Sequence, residues 1–268
     1  MEPRELYEAL ARSCVAFHYL FPSGLASAFC GVYVQPNLIA TVLHPFGEMT
    51  DRKGITISLP RLRCINLEGK QVPITDYEIM PTGDAVLLST SEEAPYIPLH
   101  PNPASVPKGA LVYLWGYPIS VEGYTLAKVQ QEAYRYPYWG LFSVGFWEGP
   151  AGIGLSEVGQ DYRVLTPSIK GQSGSPCFIF QDGKPYLLGN VSVTFSTASE
   201  LSFYEQSISY ISSVEHFANS TKFRQAMQGV VTQKRPVWPE WARTVLSPQV
   251  LIPAGAFALG VLLATMSK

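Results

Sequence analysis

The sequence predicts an all-β chain: two successive six-stranded antiparallel β-barrels, followed by a helix and an apolar tail. Three observations carry this expectation. Short runs rich in β-branched and aromatic residues recur along the chain, separated by clusters of Pro, Gly, Asn and Asp. Proline and glycine number 22 each in 268 residues, a composition suited to many turns rather than to long helices. A proline-dense stretch without periodicity, residues 92–109, divides the runs into two sets.

The elements follow in order. Residues 4–12 can form a short helix. The runs VAFHYLF, SAFCGVYV, LIATVL, GITISL, RCINL and AVLLS are the strand candidates of a first barrel, residues 13–105. A second barrel, residues 106–215, draws on ALVYLWGYP, TLAKVQQEAY, LFSVGFW, YRVLTP, SPCFIF, PYLLGNVSVTF and QSISYI. Asp182-Gly183 between two of these runs is a hairpin signal. Val214, Phe217, Phe223 and Met227 follow helical spacing, so a helix and linker are expected over 216–243. Residues 244–267 carry no charge. A helix over 250–266 would span about 25 Å, close to the lower bound for a bilayer. Trp238, Trp241, Lys234, Arg235 and Arg243 lie just before it, as expected of an interfacial flank. Residues 244–268 are therefore read as a membrane anchor, and a buried C-terminal helix is the alternative.

Composition narrows the function. Net charge is −2 with no basic block, which argues against a nucleic-acid partner. Cys14, Cys30, Cys64 and Cys177 show neither paired spacing nor the histidine spacing of a zinc site, so no metal is expected. The charged N-terminal segment lacks the apolar core of a signal peptide. Reduced thiols and an intracellular location are the expectation. Asn190 and Asn219 stand in glycosylation sequons, which carry little weight without a secretory signal.

Three motifs carry chemistry. Gly171-Gln172-Ser173-Gly174-Ser175-Pro176 places a serine between glycines. Such a backbone can turn sharply, expose the hydroxyl and aim the N–H groups of Gly171 and Ser173 at one point, as an oxyanion hole requires. The run LIATVLHP delivers His44 at the end of a strand, where an imidazole can serve as a base near neutral pH. Asp84 stands directly before the apolar run AVLLS, a position for a partly buried carboxylate that needs a partner and can orient an imidazole. Asp76, in TDYEI, is the second candidate for that role.

The three motifs together, in the order His44, Asp84, Ser173, resemble the chymotrypsin-like (trypsin-like) serine peptidases. ATVLHP is similar to that family's histidine motif, GDAVLLS to its aspartate motif and GQSGSP to its nucleophile motif. The resemblance covers roughly residues 13–215 and points to intracellular, bacterial-type or viral-type members. It implies two β-barrels, no cofactor, and a protein or peptide substrate. It also implies that LLGNVSV lines the substrate pocket, with Ser192 and Val193 on one wall and LTPSIK, including Ser168, on another. No acidic residue occurs on those walls, so a small or apolar side chain is expected before the scissile bond. Secreted members often bridge a cysteine after the histidine to one on the preceding strand. Here Cys30 occupies that strand but Pro45 follows His44, so the bridge cannot form.

Two other readings compete. Ser173, Asp182 and His216 have the order of an α/β-hydrolase triad, but without its strand-to-helix context. A barrel of the same fold that binds protein without catalysis is the second. His18, His100 and His216 have no evident acid partner and are read as structural.

Overall fold

In the computed structural model, residues 10–66, 68–116, 141–152, 159–166, 168, 171–196, 207–218, 220–224 and 262–263 are described. They form an all-β structure of two sheets. The first sheet contains β1 (Cys14–Leu20), β2 (Ala26–Gln35), β3 (Leu38–Thr41), β4 (Leu62–Ile65), β5 (Ile74–Ile79) and β6 (Val86–Thr90), in the spatial order β4-β1-β2-β3-β6-β5. The second contains β7 (Leu111–Gly116), β8 (Leu141–Pro150), β9 (Tyr162–Leu165), β10 (Pro176–Gln181), β11 (Lys184–Ser196) and β12 (Ser207–Ser213). Its order is β8-β7-β10-β11-β12-β9, and a β8–β9 pairing closes it into a six-stranded barrel. Every strand pairing is antiparallel.

The expected pair of closed barrels is thus corrected to one closed barrel and one open sheet. No β4–β5 pairing occurs among the described residues. The outer edge of β4 is taken up locally instead: Ile65 bridges Gln71, and Val72 N–H donates to the Cys64 carbonyl at 2.9 Å. The run GITISL forms no strand. Pro60 has no N–H for a ladder and sits in a 3₁₀ turn, Leu59–Arg61, although Ile57 still reaches the core. The run TLAKVQQEAY lies outside the described residues, as does most of the segment expected as an N-terminal helix.

Among the described residues, three apolar clusters form the core. One fills the first sheet around Phe17, Phe29, Tyr33 and Leu43. A second fills the closed barrel around Trp147, Val164, Cys177 and Leu188. The third lies between them, bringing Val32, Leu87, Trp115, Phe178 and Phe217 into one buried group. The proline-dense connector ties the two sheets: Ile97 N–H donates to the Tyr33 carbonyl, and Leu99 bridges Leu187. Residues from both sheets meet in this third cluster.

The chain then returns from β12 toward the first sheet. The helix expected after 215 is broken in two. A 3₁₀ turn, Val214–Phe217, is followed by a separate helical turn at 221–224. Ser220 restarts the second piece, its Oγ accepting from Phe223 N–H at 3.0 Å. Residues 225–261, with most of the expected linker and tail, lie outside the described residues. Within 250–266 only Leu262–Leu263 are described, paired with Phe142 and Leu141 of β8. Among the described residues, no helix is long and apolar enough to cross a membrane.

Candidate active site

Three elements deliver the three chemistry-bearing residues to one place. His44 opens a 3₁₀ turn, His44–Phe46, just beyond β3, with Pro45 fixing its first turn. Asp84 lies between β5 and β6, where Met80 N–H donating to the Ala85 carbonyl at 3.1 Å closes the loop. Ser173 sits in the turn before β10. His44 Nδ1 lies 2.6 Å from Asp84 Oδ2, and His44 Nε2 lies 3.0 Å from Ser173 Oγ. The imidazole therefore bridges a carboxylate from its own sheet and a hydroxyl from the closed barrel. Its side chain is 29% exposed, against 2% for that of Asp84. One end of the relay is dry and the other opens to solvent.

The Asp84 carboxylate is saturated with donors. Oδ1 accepts from the backbone N–H groups of Leu43 at 2.7 Å and His44 at 2.9 Å. Oδ2 accepts from Ser192 Oγ at 2.7 Å besides facing His44. Burial is the largest influence and pushes the carboxyl upward. The His44 and Ser192 bonds, the neighbouring imidazole charge and the backbone donors outweigh it, and the pKa lies below the ordinary carboxylate value. Asp76 takes no part: it is exposed on β5 and paired with Lys222.

The serine turn is fixed from both sheets. Gly171 and Gly174 have φ of 94° and 80°, which an L side chain rarely adopts, so the expected sharp turn rests on both glycines. The Ser173 carbonyl accepts from Cys30 N–H at 2.6 Å, and the Cys30 thiol donates to the Gly171 carbonyl at 3.3 Å. Asn190, buried in β11, donates its side-chain amide to the Gly174 carbonyl at 2.8 Å. A buried sequon asparagine with that duty is closed to glycosylation. Among the described residues, no acceptor receives the N–H of Gly171 or Ser173.

The remaining candidate residues fall less simply. Ser192, a candidate for the substrate wall, has a buried side chain that donates to Asp84. The cause is a bulge in the β11–β12 ladder between Val191 and Val193, which re-aims the intervening side chain. Val193 is on β11 opposite Tyr210. Ser168 is nearly buried, and its Oγ lies 3.1 Å from Ser209 Oγ, which donates its proton to the Thr166 carbonyl at 2.8 Å. Asp182 occupies the β10–β11 hairpin turn at φ 51°. His216 lies 2.7 Å from Asp161, so the Ser173–Asp182–His216 alternative has no geometric basis and His216 does have an acid partner. His18 faces Arg63 across the β1–β4 ladder, and burial and then that cation push its pKa down to about 4.

No family model matches the chain, and no curated protein matches it. Among solved structures it is similar to the Rv3671c protease of M. tuberculosis in its active form, with a TM-score of 0.53 and 18% identity over 88% of this chain and 90% of that one. The inactive form of the Rv3671c protease matches with a TM-score of 0.49 and 17% identity over 81% of this chain and 93% of the other. The fold is therefore the trypsin-like fold of the chymotrypsin type.

Proposed function

We propose that the protein is a serine endopeptidase. The observation that carries this reading is the single imidazole of His44 set between Asp84 Oδ2 and Ser173 Oγ at 2.6 and 3.0 Å. On this reading Ser173 Oγ attacks the carbonyl carbon of a peptide bond while its proton passes to His44 Nε2. The N–H groups of Gly171 and Ser173 stabilise the oxyanion. Collapse of the tetrahedral intermediate breaks the C–N bond, and His44 returns the proton to the departing amine. Water, activated by the same imidazole, then releases the acyl group from Ser173. Asp84 stays ionised and holds Nδ1–H toward itself, keeping Nε2 free to accept. The trypsin-like fold agrees with a protein or peptide substrate.

A fluorophosphonate probe tests the reading. The folded protein is expected to be labelled on Ser173, and Ser173→Ala to lose labelling while keeping its circular dichroism spectrum. Labelling that survives in Ser173→Ala defeats the assignment. A folded wild-type protein that resists the probe favours a binding module of the same fold.

A further inference from the structure

We propose that His216, held by Asp161, is a positioning residue for Asp84, so that the segment leaving the second barrel sets the geometry of the triad. The proposal rests on the peptidase reading for its chemistry, but its evidence lies elsewhere in the molecule. His216 stands in the 3₁₀ turn after β12, outside the three chemical motifs. Its Nε2 lies 2.7 Å from Asp161 Oδ2, and its Nδ1 lies 2.9 Å from Thr82 Oγ1. The pair is largely shielded, with side chains 14% and 11% exposed. Thr82 belongs to the loop that ends at Asp84. One imidazole thus links an acid of the second barrel to the loop that presents the catalytic carboxylate.

Two glycines show how close this contact is. Gly83 has φ of 69°, and a β-carbon there would lie 2.0 Å from Cδ2 of the His216 ring. The ring therefore rests directly on the backbone that precedes Asp84. Gly159 has φ of 80°, and a β-carbon on it would lie 1.9 Å from the Asp84 nitrogen. The loop carrying Gly159 and Asp161 thus presses against Asp84 itself. Asp161 is in turn fixed to the second barrel. Its Oδ2 accepts from Ser213 N–H at 2.8 Å, and its own N–H donates to the Ile211 carbonyl at 2.9 Å. The charged and titratable groups around the imidazole are Asp161 in contact, Asp84 behind Gly83, and Glu215 beside it, which accepts from Tyr162 and Ser213. With His216 neutral, Nε2–H donates to Asp161 and Nδ1 accepts from the Thr82 hydroxyl. Both ring nitrogens are then satisfied, one from each side of the contact.

The consequence is kinetic. Displacing a positioned catalytic group by about 1 Å can cost about 100-fold in rate. Partial loosening of the Asp84 loop is expected to cost about tenfold. The test is the rate constant of Ser173 phosphonylation by a fluorophosphonate in the whole chain, in which the Oγ–P bond forms as fluoride leaves, separated from reversible probe affinity and from the labelled fraction. His216→Ala is expected to slow phosphonylation about tenfold with affinity unchanged, and His216→Gln, which keeps a donor and an acceptor, to recover most of the rate. A merely destabilised protein would lose labelled fraction, not rate constant. A folded His216→Ala protein that is phosphonylated at the wild-type rate overturns the proposal. Should His216→Ala not fold, Thr82→Val is read in its place, with about threefold slowing expected and an unchanged rate counting against us. If folded wild type is not labelled at all, the peptidase reading fails alone. The positioning role is then judged by the His44 Nδ1 proton resonance, which Thr82→Val is expected to shift; an unmoved resonance overturns it.

Discussion

Asp84 gathers more donors than any other group in the site, and this gives it a measurable signature. Its native pKa is depressed below the ordinary value of 3.8 because bonds from His44, Ser192 and the backbone together outweigh burial. A depressed carboxyl contributes stability that is present above the unfolded pKa and is lost as pH falls through the native value. Thermal midpoints measured from pH 6 down to pH 2 are expected to drop more steeply for wild type than for Asp84→Asn. The variant should still decline, because Asp76 and Glu78 are also depressed. Parallel curves would show that the carboxylate is not held this way. At this scale the sequence was informative where chemistry is local. His44, Asp84 and Ser173 each sit in a short run whose strand end or glycine turn advertises a role. Ser192 was not legible as a donor to Asp84, because the bulge that turns it inward depends on pairing with β12. His216 was read without an acid because Asp161 is 55 residues away and meets it only when the chain returns.

The returning segment also matters as an element. Residues 220–224 dock on the edge strand β5. Glu78 accepts from Ser220 Oγ at 2.7 Å and from the N–H groups of Thr221 at 3.1 Å and Lys222 at 3.0 Å. A carboxylate from one strand thereby satisfies the first amides of a distant helical turn, where negative charge is favoured. Phe223 packs beside the cluster between the sheets, and Gln35 donates to its carbonyl at 3.2 Å. Glu78→Ala is expected to destabilise the fold by about 1–2 kcal/mol, the usual loss for a helix cap. Denaturant unfolding checks this, and a change within about 0.5 kcal/mol would place the docking among neutral surface contacts. Periodicity predicted the apolar positions here. It could not foresee the break at Ser220, since a capping hydroxyl reads the same as any surface serine until its partners are known.

Across the whole molecule, none of the four cysteines is in a disulfide; all are buried, and they are distributed over both sheets. Burial pushes the thiols of Cys14, Cys64 and Cys177 well above their ordinary range, which makes them poor nucleophiles. A chromogenic disulfide reagent is expected to find no reactive thiol in the native protein and four after unfolding. Fast native reaction would mean that the sheets open readily. The broad architecture was legible because alternating apolar runs and turn residues repeat throughout. Closure was not, since whether a sheet meets its own far edge depends on loops such as 66–73 and not on strand composition.

The chain path of this site has a consequence for how it is made. His44 and Asp84 leave the ribosome first, Ser173 well after them, and Asp161 before the His216 it must wait for. Domains generally fold as they emerge, N-terminal parts first. A nascent chain therefore holds His44 and Asp84 without Ser173, and then Ser173 facing an Asp84 loop that His216 does not yet touch. Only when the strand β12 and the turn beyond it have been translated does the last support arrive. On the peptidase reading, translation order puts the last contact of the Asp84 loop in place only after both sheets have been made.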